Sequence, residues 1–123
     1  MKIVFLDAAT LGNDLTYKSF EELGEVTVYS TTSEEEFEAH ISGADVAIIN
    51  KQKMTAQNLP KATNLKLICL AATGFDNVDL DYCRNAGIGV CNVVGYSTQN
   101  VAQITVAMAL SLISHLGEYD RAV

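Results

Sequence analysis

Five short apolar runs, each followed by a stretch of helical or turn character, constrain this chain more than any other feature. KIVFL (2–6), EVTVYS (25–30), DVAIIN (45–50), LKLICLAA (65–72) and IGVCNV (88–93) are the runs. Taken together they are continuous and not alternating, and strands of that kind need cover on both faces. A parallel sheet clothed by helices provides it. The expectation is an α/β fold, a flavodoxin-like doubly wound parallel sheet of five strands in the order 2-1-3-4-5, with a long C-terminal helix.

The connecting pieces carry helix signals. DLTYKSFEELG (14–24) sets Leu15, Phe20 and Leu23 at helical spacing and stops at Gly24. SEEEFEAHI (33–41) opens on Ser33 with Glu36 three residues on, a capping box. TAQNLPKAT (55–63) reads as a short helix or turn broken by Pro60. DLDYCRNAG (79–87) reads as a helix of two turns, capped by Asp79 and ended by Gly87. From Ser97 the chain reads as one continuous helix to its end. The expected division is a sheet domain over residues 1–97 and a long helix over 98–123.

With 123 residues there is room for one core. The formal charge of −7 and the scattered lysines and arginines argue against nucleic acid and anionic membrane surfaces as partners. MKIVFL is too short for a signal peptide and reads as the first strand, and no apolar run reaches the length of a membrane span. Cys69, Cys83 and Cys91 form no CxxC pair and read as small, buried, reduced hydrophobes, which places the protein in the cytoplasm. His40 and His115 read as helix-surface residues without metal-ligand spacing, so no metal is expected.

Ligands of an open parallel sheet bind beyond the carboxyl ends of the strands. Those ends fall at Asp7, at Asn50-Lys51, at Thr73-Gly74-Phe75 and near Gly95-Tyr96-Ser97. In ATGFDNVD (72–79) a strand runs into a glycine turn and then a helix. Gly74 permits a backbone turn that other residues resist, and successive amides of Thr73, Gly74 and Phe75 are suited to a small anion such as a carboxylate. Lys51 adds a cation on the neighbouring strand end. The plainer readings stand beside these: Gly74 as the turn before a helix, Asn77 as a local turn residue bonding its own backbone, Lys51 as a solvated lysine, Phe75 and Tyr96 as packing residues.

The stretch ATGFDNVDLDYCRNAGIGVCNVVGYSTQNVAQ resembles the first signature region of the D-2-hydroxyacid dehydrogenases, and IINKQKMT resembles the segment after that family's third strand. MKIVFLDAATLGNDLTYKSFEELGEVTVY and the glutamine of VAQ are most similar to the glycerate dehydrogenase (hydroxypyruvate reductase) branch. The resemblance implies the substrate-binding domain of an NAD(P)-dependent oxidoreductase acting on small 2-hydroxy or 2-oxo acids. It places the substrate carboxylate on amides of Thr73 and Gly74, lines the same cleft with Asn50 and Lys51, and brings Val101 toward the nicotinamide. It also implies a homodimer through the helix 98–121. The chain departs from the family pattern at Val94, where proline is common.

A Gly-rich dinucleotide fingerprint, G-x-G-x-x-G, does not occur in the sequence; Gly87-Ile88-Gly89 lacks its third glycine and begins a strand instead of following one. The arginine, the acidic residue and the acid/base histidine of the family have no counterparts here, and His115 is not that histidine. The expectation is therefore a chain with no catalytic residue and no cofactor of its own, inert alone, as part of a longer enzyme. The alternative is a stand-alone flavodoxin-like binding or interaction module. A receiver would need an aspartate ending the third strand, where Asn50 stands, and a flavin site would need a better phosphate loop than DAATLGND (7–14).

Overall fold

The computed structural model describes residues 1–12 and 14–122. Five strands form one parallel sheet: β1 (Lys2–Phe5), β2 (Glu25–Val28), β3 (Val46–Ile49), β4 (Leu67–Leu70) and β5 (Gly89–Cys91). Their order is β2-β1-β3-β4-β5, as the apolar runs predict. The central β3 is buried at all four positions, because it is covered on both faces. One face carries Val4, Leu6, Ala47, Ile49, Ile68 and Leu70 against Phe37, Ile41 and Cys83 of the helices. The other carries Ile3, Phe5, Val46 and Ile48 against Tyr17 and Phe20.

The helices between strands are α1 (Lys18–Glu21), α2 (Phe37–Ile41) and α3 (Leu80–Ala86). The capping box forms in the turn ahead of α2, with the Ser33 amide donating to Glu36 Oε2 at 3.0 Å and the Glu36 amide to Ser33 Oγ at 3.3 Å, and the helix itself begins at Phe37, later than the expected Ser33. At α3, Asp79 accepts the Tyr82 amide at 2.9 Å, and Gly87 closes the helix in the left-handed region at φ 72°. The first helix is shorter than its apolar spacing predicts. Leu15 and Leu23 stay exposed; Tyr17 and Phe20 do the packing, edge-on to Phe5 at 4.8 and 5.2 Å between ring centres. Two aromatic rings on one turn cover that part of the sheet, so nothing holds a longer helix down. Pro60 sits inside a short 3-10 turn, Leu59–Lys61, in place of breaking it.

The C-terminal segment corrects the expectation of one continuous helix. It is two helices, α4 (Thr98–Ile113) and α5 (Leu116–Ala122), bent by 59°. The break is at Ser114-His115, where His115 takes φ 52° and its amide bonds Leu112 O at 3.3 Å. Nor does α4 lay one face on the sheet: none of its residues is buried, and Val101, Ile104, Val106, Met108, Leu110, Leu112 and Ile113 are all exposed. Among the described residues no single helix is long and apolar enough to cross a membrane.

Candidate functional site

The loop after β3 is organised by Asp7. This residue ends the run of β1, is 6% exposed, and accepts the amides of Asn50 (3.0 and 3.1 Å), Lys51 and Gln52 (2.8 Å). Three successive amides around one carboxylate form an anion nest that the protein fills itself. The amides of Asn50 and Lys51 are therefore taken, and only their side chains remain for a ligand. Asn50 Nδ2 donates to Thr10 Oγ1 at 3.0 Å, whereas Lys51 is exposed.

Asn77 ties the next loop to this one. Its side chain donates to Gln52 O at 2.8 Å and Asn50 O at 3.3 Å, while the Met54 amide donates to Asn77 O at 2.8 Å. It is a tertiary clamp and not a residue serving its own turn. Both loops leave the carboxyl ends of adjacent parallel strands, so this clamp fixes the walls between them.

Between the walls lies a cleft of about 500 Å³, lined by Asn50, Lys51, Lys53, Thr55, Ala72, Gly74, Asp76 and Asn77. Asn50, Lys51 and Gly74 thus come together as the sequence suggested. Thr73 plays a different part. Its hydroxyl donates to Val93 O at 3.0 Å and its carbonyl accepts Asn92 Nδ2 at 2.7 Å, strapping the β4 loop to the β5 loop. Gly74 is not in the left-handed region, so no positive φ demands glycine there. A Cβ would sit 3.2 Å from Asp76 Oδ1, so the missing side chain keeps the cleft wall open.

The amides of Thr73, Gly74, Phe75 and Asp76 make no intramolecular hydrogen bond among the described residues. Of these four residues, Gly74 and Asp76 line the cleft with Lys51 and Lys53, where unpartnered donors can receive a small anion. Two lysines against Asp76 leave one net positive charge in the lining, within a chain whose overall charge is −7. Lys53, Thr55, Asp76 and Asn77 were not singled out by sequence reasoning as cleft residues; their membership depends on the parallel pairing of two distant loops, which no local signal carries. Phe75 and Tyr96, read as packing residues, are 49% and 66% exposed. Val101 is 57% exposed on the second turn of α4. No group of His, Cys, Asp and Glu that could hold a metal occurs among the described residues.

Gly87-Ile88-Gly89 is spent on the α3 C-cap and the entry to β5, not on a strand-to-helix turn that would bring amides to a pyrophosphate.

A doubly wound parallel sheet with a cleft beyond the carboxyl ends of β3 and β4 defines an open α/β domain. A family model described as D-isomer specific 2-hydroxyacid dehydrogenase, catalytic domain, matches residues 3–114, and the chain belongs to that family. It is 36% identical to a hydroxypyruvate reductase of Blautia hydrogenotrophica and 37% identical to a glycerate dehydrogenase of Methylorubrum extorquens, over 100% and 99% of its own length. The chain spans 39% and 38% of those two proteins. Among solved structures it is similar to the D-lactate dehydrogenase of Aquifex aeolicus complexed with NAD and lactic acid, at TM-score 0.82 and 30% identity, covering 96% of this chain and 35% of that one. It is also similar to an acyclic imino acid reductase in complex with NADPH and D-Arg, at TM-score 0.87 and 26% identity, over 98% of this chain and 40% of that one.

Proposed function

We propose that this chain is the substrate-holding part of an NAD(P)-dependent oxidoreductase acting on a small 2-hydroxy or 2-oxo acid such as glycerate or hydroxypyruvate. The observation that carries this is that Gly74 and Asp76, whose amides have no internal partner among the described residues, line a cleft that Lys51 and Lys53 make locally positive. The amides of Thr73 and Gly74 hold the substrate carboxylate by short charge-assisted bonds, and Lys51 contributes a point charge that steers it in. Asn50 shapes the wall, anchored on Thr10. Relatives named hydroxypyruvate reductase and glycerate dehydrogenase support this choice of acid.

The dinucleotide is held outside these residues, with Val101 on its side of the cleft. When bound, that cofactor supplies the hydride; what the residues 1–97 contribute is binding and orientation. Residues 98–122 form the connection toward the cofactor and a dimer contact through the exposed aliphatic side chains of α4. The three unbridged thiols fit a reducing compartment, the cytoplasm.

Amide-resolved NMR titration of the chain with glycerate and with hydroxypyruvate tests the reading. Saturable shifts at Thr73, Gly74 and Phe75, abolished in Gly74→Val, are expected. Shifts confined to other surfaces, or unchanged in that variant, would overturn it.

A further inference from the structure

Cys69 and Cys91 are Cα partners on the adjacent parallel strands β4 and β5, and their sulfurs lie 3.5 Å apart. Directly paired residues of neighbouring strands point to the same face of a sheet. Parallel strands run about 4.8 Å apart, inside the Cα separation of roughly 4.4–6.8 Å that a disulfide spans. The face they share is thinly covered. Tyr17 and Phe20 serve the β1 side of it, Cys69 is half-buried at the margin, and Cys91 is exposed, in contrast to the buried thiols the sequence suggested. The third thiol, Cys83, is buried against the opposite face and is no competitor.

We propose that Cys69 and Cys91 form an oxidisable dithiol, a modification site that closes to a disulfide across β4 and β5 when a peroxide reaches it. The two sulfurs have different parts. Burial, then the hydrogen bond with Cys91, pushes the Cys69 thiol up to about 12, so Cys69 stays protonated, and Cys91, exposed on the edge strand, is the sulfur a peroxide reaches first. The Cys91 thiolate attacks one oxygen of hydrogen peroxide, the O–O bond breaks, and a sulfenic acid and hydroxide result, the hydroxide becoming one water with the proton the Cys91 thiol had released. The Cys69 sulfur then attacks the Cys91 sulfur, the S–O bond breaks, and the hydroxyl leaves with the Cys69 proton as a second water. Two thiols lose two electrons and one peroxide gains them. The bond forms just before Asn92 and Val93, the partners of Thr73, and so locks the two strands that carry that strap.

Hydrogen peroxide added to the purified chain tests this, with thiol counting under denaturing conditions and mass mapping of the linked peptides. The expected result is a fall from three free thiols to one, a link between Cys69 and Cys91 within one chain, and recovery of all three with dithiothreitol. In Cys91→Ser and in Cys69→Ser no intrachain link forms. Closure should be at least about tenfold faster in the folded chain than in guanidinium, because the fold has already brought residues 22 apart together. Equal rates in the two states, a sulfinic acid on Cys91 with Cys69 left free, a Cys91–Cys91 link between chains, or three thiols surviving treatment would each overturn the proposal.

Discussion

The Asp7 carboxylate takes the backbone amide of Gln52 at 2.8 Å, reaching from the end of the first strand run to the loop beyond the third. With the Asn50 and Lys51 amides on the same carboxylate, it sets the wall of the cleft from which Lys51 projects. The chain spends those three amides on its own architecture, whereas the amides from Thr73 to Asp76 have no internal partner among the described residues.

Asp7→Asn replaces one acceptor oxygen by a donor facing amide donors in a buried setting. It should destabilise the chain by about 2–3 kcal/mol, as expected for a charged hydrogen-bond acceptor lost from the interior. Urea unfolding followed by circular dichroism measures it, and a change within error of zero would contradict the role given to Asp7.

Gly24 is needed for room. A Cβ there would fall inside hard contact with the Met1 carbonyl, the acceptor of the Glu25 amide at 2.9 Å. Gly24→Ala must push the first strand away from the second and should cost about 1–3 kcal/mol, the range for overpacking a tight site. A thermal melt of the variant checks it.

Lys51→Met removes a cleft charge without touching the bonds of its own amide to Asp7. Because Lys51 is exposed, carboxylate binding should weaken only about two- to fivefold. The difference from wild type should shrink as salt is raised. The NMR titration, repeated at low and high salt, reads both.

Exposed aliphatic side chains along α4 want a partner. Sedimentation at micromolar concentration should find a species of twice the chain mass. The pair Ile104→Glu and Met108→Glu, one turn apart, should return it to a monomer. A wild-type monomer with an ordered α4 would end the dimer proposal.

Asp45 gives a pH dependence with a definite sign. The Lys66 ammonium at 2.7 Å, then the Lys2 amide at 2.9 Å, hold its pKa below the usual aspartate value. A depressed folded-state pKa means the stabilisation is fully present above the unfolded value of about 3.9 and is lost as pH falls through the folded value. Wild type should be more stable than Asp45→Asn at neutral pH, and the two should converge in strong acid. Parallel curves down to the lowest pH would show that the ion pair does not act through this linkage.

Strand number, order and direction were legible in the sequence because continuous apolar runs have few ways to be covered on both faces. The α3 start was legible for a local reason, Asp79 accepting the Tyr82 amide within four residues, whereas the Ser33–Glu36 box marks the turn ahead of α2, which starts only at Phe37. The strand ends that carry the cleft could likewise be named in advance, and Asn50, Lys51 and Gly74 do meet there.

What the sequence determined by itself, then, is whatever rests on neighbours along the chain: periodicity, caps, stops, and the family signature. Only the tertiary structure decided the rest. Asn77 reaching Gln52, Thr73 reaching Val93 and Cys69 meeting Cys91 join residues about twenty or more apart. The bend at His115 and the bareness of α4 belong here too: an apolar helix reads the same whether or not a surface lies beneath it. Pairing across a sheet is fixed by the register of distant backbones, and a single sequence carries no local mark of which side chains that register will bring together.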